Sequence, residues 1–407
     1  MLYWEHMKIL IAADLHWPTI NGVATFSRNL AQGLAERGHE VVVIAPSQKR
    51  SGRPYEEIDG NYTIRRTASV PFPFYQNFRI SLAPQIEIRR IFQEFQPDVV
   101  HLQMCLTIGN AAQKYALKYG IPLVATNHAI PDNLLDNLRY LAPVSRPIAY
   151  AITEYGVRFH RKVDYVTLPT QSAIEMFGEE RLDVPVQPVS NGIDLEKFRP
   201  TPPAAEIYHK FHIPHNRPIV AYLGRLDAEK HVHVLIEAFA QMHKNATVEP
   251  HLLIVGSGTD IERLENLVYK RRIASHVTFT GRVTDEEMIQ LHKVGDVFVM
   301  PSPAELQCIS MLEAMASGKP VIAADAGPLG ELCQHERNGL LVECDNPDEF
   351  ADAITTLLAS EKLREAYGKE SLAIAKTHDI KHTLDTFEQI YDYVINLKTP
   401  RLPQRLL

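Results

Sequence analysis

The chain has 407 residues, 45% of them hydrophobic and 22% charged, which is the composition of a soluble protein large enough for two hydrophobic cores. Its net charge of −7 argues against nucleic acid as a partner, because nucleic-acid-binding proteins are usually basic. Its four cysteines are widely spaced, so the sequence indicates neither a zinc site nor a disulfide framework.

No stretch reaches the roughly 18 to 20 apolar residues that span a membrane, and the first residues lack the apolar segment of a secretory signal. We therefore expect a cytoplasmic protein, with peripheral contact at the inner face of the membrane. The sequence indicates no cofactor and no metal site. The first strand, loop and helix lack the G-x-G-x-x-G pattern of dinucleotide enzymes, and there is no Asp-x-Asp metal motif.

The first half alternates apolar strand patterns with amphipathic helix patterns. Residues 8–13 predict a buried parallel strand, and the helix that follows ends at Gly38. The apolar face of that helix is formed by Val23, Phe26, Leu30 and Leu34. Gly22 lies in the loop between strand and helix, where a glycine suits a turn.

Two further parts of the first half are candidate functional segments. Residues 62–82 combine prolines with aromatic side chains and predict an irregular segment, either a lid or acceptor surface or a loop packed in the interior. The strand pattern 123–126 is followed by His128, at the strand end where α/β sheets bind ligands. A functional role is therefore favoured over a core role for His128.

Basic residues are concentrated in two places. The segment 134–163 is helical in character and carries cations among apolar side chains, namely Arg139, Arg146, Arg158, Arg161 and Lys162. The C-terminal tail carries Lys398, Arg401 and Arg405. A basic amphipathic helix can lie on an anionic bilayer, or its charges can simply face solvent.

The second half repeats the α/β plan, so we expect two Rossmann-like domains. Its strand patterns are 219–223, 251–255, 276–280, 297–300 and 320–323. The predicted division separates residues 1–188 from residues 189–380. A last helix, 381–397, and the tail to residue 407 are expected to pack back on the first domain.

Charged side chains follow two strands of the second half. Arg225 and Lys230 come after the first of them and form a pair of cations suited to a diphosphate. Glu305 follows another strand and leads into a helix that carries Glu313. The start of that helix offers unpaired N–H groups, around Gln307, Cys308, Ile309 and Ser310. Cations and carboxylates at one sheet edge predict a ligand with phosphates and hydroxyls, such as a nucleotide sugar.

The spacing of Glu305 and Glu313, followed by AMASGKPVIA, resembles the E-x7-E motif of retaining GT-B glycosyltransferases. The resemblance implies a GT-B fold, with two Rossmann-like domains facing a cleft. It also implies that Glu305 lies against the donor sugar and that Glu313 holds the nucleotide ribose.

Other segments carry the same resemblance. Arg225 and Lys230 match the G-R-L-x-x-x-K pattern that binds the diphosphate, although His231 replaces the glycine that usually follows. The V-G-x-G turn implies that Gly256 and Gly258 let the backbone approach the nucleotide.

Three more expected site residues come from the resemblance. Val283 belongs to the segment FTGRV, whose backbone reads the base. Gly22 would let the backbone approach the sugar phosphate, with a plain turn as the alternative. His128, in the Thr-Asn-His sequence, would lie in the catalytic cleft.

Where family members commonly read E-G-F-G, this chain reads E-L-Q-C from Glu305 to Cys308. With the stretches PFPFYQNFRISL and TNHAIPDNLL, this variant is similar to bacterial glycosyltransferases that glucosylate diacylglycerol. The resemblance thus implies transfer of glucose from UDP-glucose to a lipid acceptor such as diacylglycerol, at an anionic membrane surface. The alternatives are a hexosyl or mannosyl transferase with a soluble or other lipid-linked acceptor, a nucleotide-sugar epimerase, and a nucleotide-sugar sensor.

The expected chemistry follows from the charges. Breaking the sugar–phosphate bond leaves negative charge on the diphosphate, which Arg225, Lys230 and helix N–H groups would stabilise in place of a divalent ion. No enzymic nucleophile is evident in the sequence. The family's usual proposal is attack on the same face of the sugar, with the departing phosphate taking the acceptor proton.

Overall fold

The structure, a computed structural model, describes residues 6–19, 21–72, 78–128, 145–243 and 249–398. The chain forms two compact units. Unit 1 comprises Met1–Ser190 and Lys381–Leu407, and unit 2 comprises Asn191–Ile380.

Unit 1 is an α/β unit. Its strands are β1 (Lys8–Ala12), β2 (Glu40–Pro46), β3 (Tyr55–Asp59), β4 (Tyr62–Thr67), β5 (Ser69–Pro71), β6 (Arg79–Ser81), β7 (Val99–Leu102), β8 (Leu123–Thr126), β9 (Tyr165–Leu168) and β10 (Val186–Pro188). Its helices from the first part of the chain are α1 (Gly22–Glu36), α2 (Gln85–Glu94), α3 (Thr107–Tyr119), α4 (Ser145–His160) and α5 (Gln171–Phe177). In the part of the chain that the structure describes, eight strands form one sheet in the order β10-β9-β8-β7-β1-β2-β4-β3.

The centre of this sheet is parallel, and its strands are apolar on both faces. Ile9 of β1 pairs with Val41 of β2 on one side and with Val99 of β7 on the other. Nearly every residue of β1 and β2 is buried, so helices must cover both faces. Within this eight-stranded sheet of described strands, only the edge strand β3 runs antiparallel to its neighbour, β4.

The prediction of an irregular segment over residues 62–82 is wrong where the structure describes that segment. β4 pairs with both β2 and β3, and β5 pairs with β6. Tyr62 and Ile64 of β4 are buried and alternate with less buried residues, which is the period of a strand with one covered face. Residues 73–77 lie outside the described residues, so the lid interpretation stays a prediction.

Unit 2 repeats the plan with a second parallel sheet. Its strands are β11 (Ile219–Leu223), β12 (His251–Val255), β13 (Val277–Phe279), β14 (Val297–Met300), β15 (Val321–Ala324) and β16 (Gly339–Val342). Its helices are α6 (Ala205–Lys210), α7 (Val232–His243), α8 (Ile261–Arg271), α9 (Asp285–Val294), α10 (Ile309–Ala316), α11 (Leu329–Leu332), α12 (Pro347–Ala359) and α13 (Glu361–Lys376). The predicted strands are confirmed, except that β13 is shorter because Ala274–His276 forms a turn of 3-10 helix. Both units are Rossmann-like, as the sequence predicts.

The strand order of unit 2 locates a ligand crevice. The sheet runs β13-β12-β11-β14-β15-β16, so successive strands extend to one side of β11 and then to the other side from β14 onward. β11 and β14 are direct neighbours, with Ala221 paired to Phe298. Loops that leave adjacent strands in opposite directions open a crevice at the carboxyl ends of those strands.

The last described helix, α14 (Ile380–Lys398), completes unit 1. The ring of its Phe387 lies 5.8 Å from the ring of Phe26 in α1. The Tyr391 hydroxyl lies 2.7 Å from Nδ1 of His101 in β7. These buried contacts tie α14 to the central layer of unit 1.

Several predictions about basic residues fall outside the described residues. They concern Arg139, the side chain of Arg146, Arg401 and Arg405. The predicted helix 134–163 is described from Ser145, where α4 begins. No helix in the described ranges combines the length and the apolar character needed to cross a bilayer.

Candidate active site

The crevice of unit 2 joins side chains from two neighbouring strand ends. Lys230 follows β11 and Glu305 follows β14, and Lys230 Nζ lies 2.7 Å from Glu305 Oε1. Both side chains are largely buried, with exposed fractions of 13% and 15%. Burial disfavours the charged form of Lys230, but the attraction of Glu305 outweighs it and raises the pKa of Lys230. Two predicted site residues thus form one buried ion pair.

Arg225, the second predicted cation, is held by carboxylates of its own loop. Its guanidinium forms ion pairs with Asp227 and Glu229. The Tyr222 hydroxyl donates to the backbone oxygen of Arg225 at 2.7 Å, and Asp227 accepts hydrogen bonds from the N–H and the hydroxyl of Thr259, each at 2.9 Å. The loop that carries Arg225 is therefore anchored on both sides.

The position of His231 is one that favours glycine. Its φ is +50°, in the left-handed region. His231 Nδ1 lies 2.5 Å from Oδ1 of Asp345, another residue with a left-handed backbone at φ +58°. The turn after Lys230 thus keeps a conformation suited to glycine, and gains a partner that a glycine would lack.

The first turn of α10 lies at the same strand ends. The helix begins at Ile309, and its N-cap, Cys308, makes no capping hydrogen bond through its side chain. N–H groups in a first turn have no intrahelical partner and attract anions. Ser310 Oγ donates to the backbone oxygen of Leu223 at 2.6 Å, which ties this helix end to the end of β11.

Glu313 lies on the accessible stripe of α10. Ile309, Ser310 and Glu313 are partly exposed, and the remaining residues of the helix are buried. A spacing of three or four residues puts these three side chains on one face. Glu313 is therefore the one carboxylate of a helix that is otherwise mostly buried, and not a charge on a solvent-exposed helix. Its Oε2 lies 2.9 Å from Nε2 of the buried His292.

Gln307 and Cys308 have structural side chains. Gln307 Oε1 accepts a hydrogen bond from the N–H of Asn191 at 2.7 Å. The Cys308 thiol is buried, and burial together with nearby Glu305 raises its pKa well above the usual value. A protonated, buried thiol is a poor nucleophile. For Gln307 and Cys308, the predicted contribution to donor binding comes from their backbone N–H groups and not from their side chains.

Gly256 and Gly258 are required by the packing of their own turn. A Cβ on Gly256 would lie 1.9 Å from the backbone oxygen of Gly224, and a Cβ on Gly258 would lie 2.2 Å from the backbone of Leu226. The turn after β12 therefore packs directly on the loop after β11. Approach of the nucleotide to these glycines stays a prediction.

Val283 belongs to a segment joined to that turn. The N–H of Gly256 donates to the backbone oxygen of Gly281 at 3.2 Å. Val283 follows Gly281 and packs, partly buried, against the core of unit 2. The turn after β12 and the predicted base-reading segment are therefore adjacent.

In unit 1, Gly22 is the first residue of α1 and is exposed. The preceding Asn21 caps the helix, since its side-chain oxygen accepts from the N–H of Ala24 at 2.8 Å. The start of α1 is thus an ordered, accessible helix terminus. Such a terminus suits an anionic group.

His128 lies near the same helix. Its Nε2 is 2.8 Å from Oε1 of Gln103, which follows β7, and its ring is 5.0 Å from the ring of Phe26 in α1. Burial lowers the pKa of His128 to about 3, so the imidazole is neutral at neutral pH. Phe26 thus connects the two predicted site residues of unit 1, Gly22 and His128.

A cavity of about 30 Å³ adjoins His128. Its lining includes Gln103, Asn127, Phe159 and His160. Gln103 Nε2 is buried and has no hydrogen-bond partner among the described residues. The exposed lining is mostly apolar, and the volume is about that of one water molecule, for which Gln103 Nε2 is a donor without another partner among the described residues.

Sequence reasoning missed several partners of the predicted residues. Asp227 and Glu229 were detectable, because they stand between the two predicted cations. Gln103 and His292 gave no local signal, because each meets its partner only through the fold. In the described ranges, no group of three or more His, Cys, Asp or Glu side chains is arranged to hold a metal ion.

Two family models together match most of the chain. The one described as "Glycosyltransferase Family 4" matches residues 20–197. The one described as "Glycosyl transferases group 1" matches residues 204–372, which include the crevice of unit 2.

Individual proteins match over most of their length. The chain is 36% identical over 375 residues to the GDP-mannose-dependent alpha-(1-6)-phosphatidylinositol monomannoside mannosyltransferase of Mycobacterium tuberculosis, covering 89% of this chain and 91% of that protein. It is 28% identical over 374 residues to the alpha-monoglucosyldiacylglycerol synthase of Streptococcus pneumoniae, covering 90% and 82%. A solved structure of sucrose-phosphate synthase from Thermosynechococcus elongatus has a TM-score of 0.77 at 20% identity, covering 96% and 99%, and so shares the fold.

Proposed function

Since the chain belongs to the family of GT-B glycosyltransferases, we propose that it transfers a hexosyl residue from a nucleoside diphosphate sugar to a lipid hydroxyl. The transfer retains the configuration at the anomeric carbon and needs no divalent ion. The observation that carries the proposal is the Lys230–Glu305 pair at the crevice of unit 2, beside Arg225 and the start of α10.

The crevice suits the two parts of such a donor. Lys230, Arg225 and the first N–H groups of α10 supply positive charge for the diphosphate. Glu305 supplies a carboxylate for sugar hydroxyls, and Glu313 supplies one for the ribose. Arg225, Lys230 and Glu305 follow strand ends, and Glu313 lies within α10, so a bound donor would meet them in a fixed arrangement.

The proposed chemical step needs no protein nucleophile. The bond between the anomeric carbon and the diphosphate oxygen breaks, and its electron pair stays on the diphosphate. The acceptor oxygen bonds to the anomeric carbon on the same face, and its proton passes to the departing phosphate oxygen. Lys230 and Arg225 lower the barrier because the diphosphate becomes more negative as the bond breaks. His128 of unit 1, which is neutral at neutral pH, would form hydrogen bonds with a substrate hydroxyl.

UDP-glucose is the first candidate donor, because the E-L-Q-C variant resembles glucosyltransferases of diacylglycerol and a relative is named as an alpha-monoglucosyldiacylglycerol synthase. GDP-mannose is the second candidate, since the relative at 36% identity is named as GDP-mannose-dependent. Both names contain an alpha linkage, which is the outcome expected of retention from an alpha-linked donor.

A lipid acceptor requires a surface that reaches a bilayer, and α4 offers one. Ala151, Tyr155, Arg158 and Lys162 are exposed and recur every three or four residues along α4 and the turn after it. They therefore form one stripe with an aromatic ring and two cations, which we call the α4 stripe. An anionic bilayer attracts each such cation by about 1 kcal/mol, so a few of them suffice for reversible docking.

The deciding experiment incubates the protein with radiolabelled UDP-glucose or GDP-mannose, with and without vesicles that contain diacylglycerol or phosphatidylinositol. We expect label in the lipid phase with one donor only, and undiminished transfer after EDTA treatment.

Label in a soluble glycan would favour the soluble-acceptor alternative. Conversion of the donor sugar without an acceptor would identify an epimerase, and binding without turnover would identify a sensor. A strict divalent requirement for transfer would contradict the metal-free step.

A further inference from the structure

His292, at the end of α9, is fully buried and faces a predicted ligand-binding carboxylate. Its Nε2 lies 2.9 Å from Glu313 Oε2. The contact has the distance of an ion pair but not the alignment of a hydrogen bond, and both ring nitrogens lack a hydrogen-bond partner in the described part of the chain. A buried polar group without a partner destabilises the folded protein, so its presence calls for an explanation.

Aromatic side chains surround the imidazole. The ring of Phe198 lies 5.6 Å away at 83°, and the ring of Phe298 lies 6.2 Å away at 31°. An apolar side chain would fill this space without an unpaired polar atom. Packing alone therefore does not explain why a histidine stands at residue 292.

Glu313 links this buried histidine to the crevice. Its side chain retains 16% exposure on the accessible stripe of α10, while His292 behind it has none. One carboxylate oxygen thus faces the imidazole, while part of the side chain remains accessible from the crevice. A small rotation of the carboxylate would align a charge-assisted hydrogen bond with Nε2–H.

We propose that His292 is a positioning residue that holds the Glu313 carboxylate for the ribose hydroxyls of the nucleotide donor. This inference rests on the proposed function, because it assumes a nucleotide in the crevice. A carboxylate fixed before binding loses less conformational freedom when the ribose arrives, which favours affinity. His292 itself does not touch the ligand.

The test measures binding by calorimetry, with UDP, GDP and their 2′,3′-dideoxy analogues as probes. For the nucleotide that the wild type binds, we expect His292→Phe to weaken affinity about tenfold while leaving the affinity of the dideoxy analogue unchanged. Glu313→Ala should weaken binding at least as much, and adding His292→Phe to it should have no further effect. His292→Gln, which retains a donor, should recover much of the affinity.

Stability separates positioning from a structural role. His292→Phe removes a buried unpaired imidazole, so its melting temperature should equal or exceed that of the wild type. If His292→Phe does not fold, His292→Leu serves the same comparison. Equal losses for the ribose nucleotide and its dideoxy analogue, or additive losses in the double variant, would overturn the inference and leave the proposed function intact. A wild type that binds neither UDP nor GDP would overturn both.

Discussion

Lys230 Nζ lies 2.7 Å from Glu305 Oε1. The two residues follow β11 and β14, the adjacent strands at which the strand order of the unit 2 sheet reverses. Without a donor, each charge neutralises the other in a largely buried place. A nucleotide sugar would bring a diphosphate to Lys230 and hydroxyls to Glu305. Each side chain would then give up its contact with the other and bind the ligand. Donor binding then does not leave either charge buried and unpaired.

The first prediction concerns the cations. Arg225→Ala and Lys230→Ala should each reduce turnover by roughly thirty- to a thousand-fold, because each removes about 2 to 4 kcal/mol of transition-state stabilisation. The measurement is the initial rate of sugar transfer with saturating acceptor. Arg271→Ala is the matched control, since this exposed cation of α8 pairs with Glu237. Rates within threefold of wild type in both site variants would reject the diphosphate site.

The second prediction separates binding from chemistry at Glu305. Glu305→Gln frees Lys230 from its counter-charge, so the affinity for UDP or GDP should be maintained or improved. Turnover should fall about ten- to a hundred-fold, because the sugar loses a charged hydrogen-bond acceptor. Calorimetry and transfer assays measure the two effects, with Glu265→Gln on the exposed side of α8 as the control. A loss of nucleotide affinity equal to the loss of turnover would count against this division of roles.

The third prediction concerns acid stability. Burial lowers the pKa of His16, His101 and His128 to about 3 and that of His160 to about 4. Below the ordinary pKa of about 6.5, the unfolded chain binds protons that the folded chain does not, so stability is lost as the pH falls toward 4. Each histidine contributes about 1.4 kcal/mol per pH unit in that window.

Denaturant unfolding between pH 7.5 and 5 measures this dependence. His160→Phe removes one titrating group in a place already bordered by Phe159 and Phe177, so its unfolding free energy should fall less steeply with acid. Identical pH slopes for the variant and the wild type would show that His160 does not contribute.

The fourth prediction tests the α4 stripe and the cation beside it. The wild type should sediment with anionic vesicles at low salt and be released at high salt, because salt screens surface attraction. Reversing Arg158, Arg161 and Lys162 to Glu should abolish sedimentation and spare nucleotide binding. The docking proposal fails if the wild type ignores anionic vesicles.

The control for docking makes the same charge change in unit 2. Lys270, Arg271 and Arg272 are exposed at the end of α8, and their reversal to Glu should leave sedimentation intact. Equal loss in both triple variants would mean that net charge, and not the α4 stripe, governs attraction. Arg161 Nε donates to the backbone oxygen of Arg181, so folding of the first triple variant must be checked by melting.

The sequence alone determined the two α/β units and most of their strands. Runs such as 219–223 and 251–255 are buried on both faces, and a continuous apolar run of this kind can be recognised from consecutive residues of the sequence. The placement of Lys230, Glu305 and Glu313 after particular strands or on a particular helix was likewise predictable. The strands of 62–82 were not, because the prolines and aromatic residues of 71–78 suggested an irregular segment and the alternation of β4 extends over only 6 residues.

Only the tertiary structure decided which groups face one another. Lys230 meets Glu305, and His292 meets Glu313, because parallel strands and their helices bring distant segments to one sheet edge. The reason that Gly256 lacks a side chain also appears only in three dimensions, where the backbone of Gly224 occupies the space of its Cβ. Local periodicity specifies secondary structure, whereas partners, burial and charge depend on contacts between residues far apart in the chain.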